Sequence, residues 1–199
     1  MAIQSGLETH FKILLAIILS LLAVELCTGW IFEYLPNNLF FYHIYDPIEF
    51  TLYSLFFLKL GMSDGVRRGI TWTIPLFILT AIVLTVFVHP IDQNNSYAIM
   101  TESIIVIFYC LLYLRHININ MIDRRAEKNP YFWITVGALL YFTGTLFVEG
   151  SLTLLMNISE EVARFYYKIG FIFKYIMCLM YFLGTLIGMR YGDKTREVN

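Results

Sequence analysis

FKILLAIILSLLAVELCTGWIF, residues Phe11–Phe32, carries only Lys12 and Glu25 as charged side chains across 22 positions. At 1.5 Å of rise per residue a helix of that length covers about 33 Å, enough for a bilayer core of about 30 Å. The run is longer than the apolar region of a cleaved signal peptide, and no small-x-small site follows Trp30, so it reads as a retained membrane helix. Five further stretches repeat the pattern: Phe40–Leu60, Gly69–Val88, Tyr97–Leu114, Pro130–Gly150 and Val162–Gly188. Their lengths suit helices and exclude barrel strands, which are shorter and alternate in polarity. The expected fold is an all-α, polytopic transmembrane bundle of about six spans.

Composition supports that class. Of the 199 residues 58% are hydrophobic and 15% are charged, against about 25% charged in a soluble domain; the mean hydropathy is +0.67. Six spans consume most of the chain, so residues 1–199 are expected to form a single integral membrane domain. A net charge of -1 offers no basic face for a phosphate backbone, which argues against nucleic acid as a partner.

The basic residues instead mark one side of the membrane. Lys12, Lys59, Arg67, Arg68, Arg115, Arg124, Arg125, Lys128, Arg190, Lys194 and Arg196 fall at the N-terminus, in alternate loops and in the tail. The intervening loops, Glu33–Leu39, His89–Ser96 and Ser151–Glu161, contain no Lys or Arg. Under the positive-inside rule both termini are expected to face the cytoplasm, in a cytoplasmic (inner) membrane. The basic loop Arg115–Lys128, with Arg124 and Arg125, is the candidate contact for a protein partner; attraction to anionic lipid would also account for it.

Two boundaries carry helix punctuation. Asn129-Pro130 places an N-cap side chain before a proline at the first helical position, so the fifth span is expected to start there. Asp46-Pro47-Ile48-Glu49 reads the same way, with Glu49 completing a capping box. A helix from Pro47 to Leu60 would be only about 21 Å long. Segment 36–46 is then either an earlier helical piece broken at Pro47 or a re-entrant run in the outer leaflet, where non-helical backbone survives only when buried in protein or lining a wet cavity.

Several charged residues lie inside the apolar stretches or at their outer borders. Glu25 is about 21 Å above Phe11, and Lys174 about 24 Å above Arg190. Glu102 is five residues into its span, Glu149 closes the fifth span, and Asp46, Arg164 and Lys168 occupy the outer border. A charge near mid-bilayer costs about 2.5–3.5 kcal/mol on insertion scales, so it normally faces the protein interior and finds a partner. The expected arrangement is an outward-facing polar pocket with Glu25 or Glu102 paired to Lys174. Glu149 and Lys168 join it or reach headgroups, and Asp46 and Glu49 serve as helix caps or pocket residues.

Tests for specific chemistry identify no catalytic residue and no cofactor site. Cys27, Cys110 and Cys178 are dispersed without a C-x-x-C. The four histidines include no H-x-x-x-H; His43 and His89 are the weak metal candidates on the outer side. No G-x-S-x-G nucleophile context occurs. Asn94-Asn95-Ser96 and Asn157-Ile158-Ser159 are glycosylation sequons on outer loops. Gly184-x-x-x-Gly188 reads as close helix packing, with homo-oligomer contact as the alternative.

The segments NPYFWITVGALLYFTGTLF (Asn129–Phe147), IYDPIEFTLYSLFFLKL (Ile44–Leu60) and FKYIMCLMYFLG (Phe173–Gly184) resemble small polytopic proteins of Bacteroidota-type bacteria. Those proteins look like the membrane sensor portions of histidine kinase systems, detached from the kinase. The resemblance implies a signalling role exercised through a partner such as a kinase, and supplies no catalytic residues. Three functions are open: a small-ligand sensor or regulator of a partner protein, a small-solute or ion transporter or channel, and an intramembrane enzyme acting on lipid. Transporters commonly show paired repeats or interrupted helices, and only Pro47 qualifies here.

Overall fold

The computed structural model describes residues 2–31, 39–120, 126–156 and 159–191. Among them the structure is all-α, with six helices: α1 (Ala2–Ile31), α2 (Phe40–Lys59), α3 (Asp64–Phe87), α4 (Ser96–Asn120), α5 (Pro130–Met156) and α6 (Glu160–Tyr191). A single 3-10 turn, Ala126–Lys128, precedes α5. Five helices are long and apolar enough to cross a membrane, over Thr9–Gly29, Asp64–Phe87, Ser96–Ile119, Pro130–Leu152 and Glu161–Arg190. The chain is a multi-pass membrane protein. It divides into two compact units, residues 1–102 and 103–199, with the boundary inside α4.

Exposure in these helices is inverted relative to a soluble protein. On α1, Leu14, Ile17, Leu21, Val24 and Thr28 are buried, at alternating steps of three and four, while Leu15, Leu19, Leu22 and Leu26 are exposed. Both faces are apolar, and one of them has no protein against it, which is the signature of lipid contact. On α3 the exposed set is Trp72, Leu76, Leu79, Ile82, Val83 and Val86, against a buried Ile70, Phe77 and Ala81. Hydroxyls in such surroundings bond back to their own helix: Thr28 to the Val24 carbonyl at 2.8 Å, Thr80 to Leu76 at 2.9 Å and Thr185 to Tyr181 at 2.8 Å. These three threonines are thereby satisfied locally.

In the first unit α2 lies against both α1 and α3. Gly61, at φ 69°, takes the left-handed position just beyond the end of α2 and turns the chain into α3 within four residues. The two helices run antiparallel along their whole length: Phe50 and Phe77 stack with centroids 4.1 Å apart, and His43 meets Thr85 at 2.9 Å. At the other end of α2, His10 of α1 reaches the Lys59 carbonyl at 2.9 Å and packs edge-on against Phe56.

Helix α2 runs through Pro47 without a break, from an N-cap position at Leu39. Asp46 and Glu49 are therefore interior residues of a 20-residue helix and cap nothing, contrary to the sequence expectation. Residues 39–46 are neither a separate broken helix nor re-entrant coil, and 36–38 lie outside the described residues. Proline removes a single N–H, the one that would pair with the His43 carbonyl. The helix tolerates that loss because Phe50, Tyr53, Phe56 and Phe57 are buried against neighbouring helices, where dense packing fixes the backbone. Its sequence, with His43, Asp46, Glu49 and three tyrosines, is too polar to qualify as a span on composition.

The second unit is dominated by the α5–α6 pair. As the sequence indicates, α5 starts at Pro130, with Asn129 Oδ1 accepting from the Tyr131 amide at 2.9 Å. The two helices approach at glycines. A Cβ on Gly137 would lie 2.7 Å from Met180 Cβ, one on Gly144 2.2 Å from Phe173 Cγ, and one on Gly184 2.8 Å from the Pro130 carbonyl. Gly184 is thus used in close packing within this chain. An alanine at Gly144 gains about 1 kcal/mol of helix propensity but drives a methyl into the Phe173 ring, and overpacking of this kind costs about 1–3 kcal/mol. Gly144→Ala is expected to lower the thermal unfolding midpoint in detergent, and Phe173→Ala in the same chain to recover part of the loss.

Candidate functional site

Polar side chains of the first unit converge at one end, where α2 begins, α3 ends and α4 begins. Pro47 leaves the orientation of α2 intact, so Asp46 and Glu49, three residues apart, share the face that carries Phe50 and Tyr53. All four are buried. From α4, Glu102 points inward and is 2% exposed; the carboxyls acting on it electrostatically are those of Glu49 and Asp46. Just before α4, Asn95 is 1% exposed and donates from Nδ2 to Asp46 Oδ2 at 2.9 Å. Two acceptor atoms at this centre, Glu102 Oε1 and Asn95 Oδ1, have no hydrogen-bond partner among the described residues.

Next to the carboxyls, His43 pins α2 to α3 and to the α3–α4 loop. Its Nδ1 faces Thr85 Oγ1 at 2.9 Å and its Nε2 faces the Gln93 carbonyl at 3.0 Å. A carbonyl only accepts, so Nε2 carries a proton and donates. The Thr85 hydroxyl has a second neighbour, the Ala81 carbonyl at 2.9 Å. In the same loop His89 Nδ1 bonds the Asn94 carbonyl, and the Asn94 side chain donates to Ser96 Oγ at 2.8 Å. These contacts use the imidazole nitrogens to fix a loop, which leaves His43 without a nitrogen for a metal. Among the described residues no group of three His, Cys, Asp or Glu has a geometry that would hold a metal ion.

The other residues singled out from sequence are distributed as follows. Glu25 is half-buried on α1, on the same helix as His10, which bonds the Lys59 carbonyl of α2. Lys174, Glu149 and Lys168 belong to the second unit. Lys174 is half-buried, with Nζ 5.2 Å above the Phe171 ring centroid. Glu149 is buried and Lys168 exposed, and the register of Gly144 with Phe173 sets them level on α5 and α6. Arg124 and Arg125 lie outside the described residues, and for Arg164 only its place in α6 is described.

Asn95 is not ionisable, and in the sequence Asn94-Asn95-Ser96 reads as a sequon. The signal that could have found it is its position one residue before an apolar helix, on the same helical face as Glu102. Comparisons with family models, curated proteins and solved structures return no match.

The Asn95–Asp46 bond joins the start of α4 to the middle of α2. Removing its donor leaves a buried carboxyl oxygen short of a partner, which costs about 1–3 kcal/mol. Asn95→Ala is expected to lower the unfolding midpoint in detergent accordingly, and Asn95→Asp, which sets a further carboxyl against Asp46, to lower it more. Equal midpoints for wild type and both variants would show that the bond is dispensable.

Proposed function

We propose that the chain crosses the bilayer six times, with both termini on the cytoplasmic side of an inner membrane, and acts as a small-ligand sensor or regulator of a partner protein. Support for the sixth span comes from register: α2 accompanies α3 from His43–Thr85 to the Gly61 turn, so a bilayer that α3 crosses is crossed by α2 as well. At 20 residues α2 is about 30 Å long, which suffices. Six crossings agree with the side marked by the basic residues.

The observation that carries the functional reading is the pair of buried, unpartnered acceptors, Glu102 Oε1 and Asn95 Oδ1, beside Asp46 and Glu49. Three carboxyls inside apolar helices are costly to insert and mark functional sites by default. Acceptors in excess of donors call for a ligand that brings protons or positive charge, such as a small amine or a proton itself. The centre is built where three helix ends meet, so a ligand there bears on how α2, α3 and α4 are held together at that end. We read that response as relayed to a partner protein, of the kinase type implied by the sequence resemblance, with Arg124 and Arg125 on the candidate contact loop. Transport is the second reading, favoured by the placement of Glu102 within a span.

Topology is tested by a fluorescent protein fused after Asn199 and by Asp92→Cys in a chain whose three cysteines are replaced by alanine. The fusion is expected to fluoresce and the cysteine to react with an impermeant maleimide on intact cells; a dark fusion with an internal N-terminus sinks the six-span reading. Function is tested with a panel of small amines and protons on purified chain. Sensing predicts a solute that raises the unfolding midpoint of wild type, not of Glu102→Gln, and that is not carried across proteoliposomes. Flux that disappears with Glu102→Gln would replace sensing by transport.

A further inference from the structure

At the opposite end of the first unit, where α2 ends and α3 begins, lies a cavity of about 580 Å³ into which Lys59, Arg67 and Arg68 all face. We propose that this cavity binds a phosphate-bearing anion at the membrane interface, with an anionic phospholipid headgroup and free phosphate as the two sources of that chemistry. Lys59, Arg67 and Arg68 are exposed, and among the described residues neither Lys59 nor Arg68 has an acidic partner. Among the described residues the sole acid lining the cavity is Asp64, 3.8 Å from Arg67. That pair is highly solvated and contributes little, so it leaves most of the positive potential unspent.

Shape and surroundings match the charge. Lys59 ends one helix and Arg67 and Arg68 occupy the first turns of the next; the tight turn at Gly61 brings their stems to one rim. The cavity also lies at the start of α3, on the positive end of its dipole, where Ser63 at the N-cap makes no side-chain bond. Two arginine forks and a lysine are the set that recognises phosphate, the forks by paired hydrogen bonds and the ammonium as a point charge. The opposite wall is apolar: Leu55 and Trp72 line the cavity and are themselves exposed, and Leu76 continues the exposed surface one turn deeper. A headgroup among the cations would lay its acyl chains along that strip, with Trp72 at the interfacial depth that indoles favour. Basic pockets between membrane helices bind anionic headgroups on these terms. Positive-inside topology requires basic residues somewhere in this loop; it does not require them to line one cavity.

The test uses the full chain in nonionic detergent, titrated with short-chain phosphatidylglycerol, short-chain phosphatidylcholine and inorganic phosphate, with binding read by calorimetry. Phosphatidylglycerol is expected to bind, and Lys59→Gln with Arg68→Gln to weaken it about tenfold or more. A charge-matched control, Arg115→Gln with Lys128→Gln, is expected to stay within about twofold. Lys59→Arg with Arg68→Lys is expected to preserve binding, and Asp64→Asn to tighten it. If inorganic phosphate binds as tightly and with the same dependence, the source is free phosphate; if phosphatidylglycerol binds much more tightly, it is the lipid. Equal losses in the two double variants would reduce the effect to diffuse electrostatics and overturn the site, as would absence of binding by both anions.

Discussion

Lipid offers no hydrogen bonds, and the whole of the first unit is arranged around that fact. Helix α2 carries His43, Asp46 and Glu49 in its first half, together with a proline that strips one donor from its backbone. None of these groups can face hydrocarbon without a penalty of several kcal/mol. The helix is therefore held between α1 and α3, which turn leucine, isoleucine and valine outward and give α2 an interior of protein. Polar sequence and central position have one cause. What disqualifies α2 as a span on composition is what makes it the best-buried helix of its unit.

The same constraint explains which parts were legible in the sequence. Helices α1, α3, α4, α5 and α6 announce themselves because each must carry a lipid-facing surface and so reads as a long apolar run. The start of α5 was legible to the residue, since Asn129-Pro130 is followed by an apolar stretch and preceded by charged loop. Asp46-Pro47-Ile48-Glu49 has the same local grammar, and there it misleads. A cap motif and an interior proline differ only in whether the preceding residues, FFYHIY, have something to pack against, and that information is tertiary. The order of residues along each helix was legible as well. Which helices are neighbours was not: Asp46, Glu49 and Glu102 are brought together by the α2–α3 hairpin and the α3–α4 loop, and Asn95 enters the centre through a bond to a residue 49 positions away.

The hairpin of α2 and α3 also separates charge by sign. Acids collect where α2 begins and α3 ends; Lys59, Arg67 and Arg68 collect where α2 ends and α3 begins. The acids are buried, with Asp46 held by the Asn95 amide, whereas the cations are exposed at a rim. That difference follows from side-chain length and solvation: lysine and arginine can reach out to headgroups from a helix end, but Asp and Glu at interior positions cannot, and must be met by protein groups such as the Asn95 amide.

A hairpin with a buried acidic head and an exposed basic foot has a mechanical consequence. On the proposed reading, a ligand at the head would act on the joints that His43 and Asn95 make with α3, the α3–α4 loop and α4. The foot, if held by phosphate at the interface, is anchored to the plane of the bilayer. On that reading a displacement at the head would tilt α2 against α3 about the Phe50–Phe77 contact, which lies between head and foot and joins the two helices at mid-length. The stack is where such a tilt has the least lever arm. The ends have the most, and they are where the polar groups are.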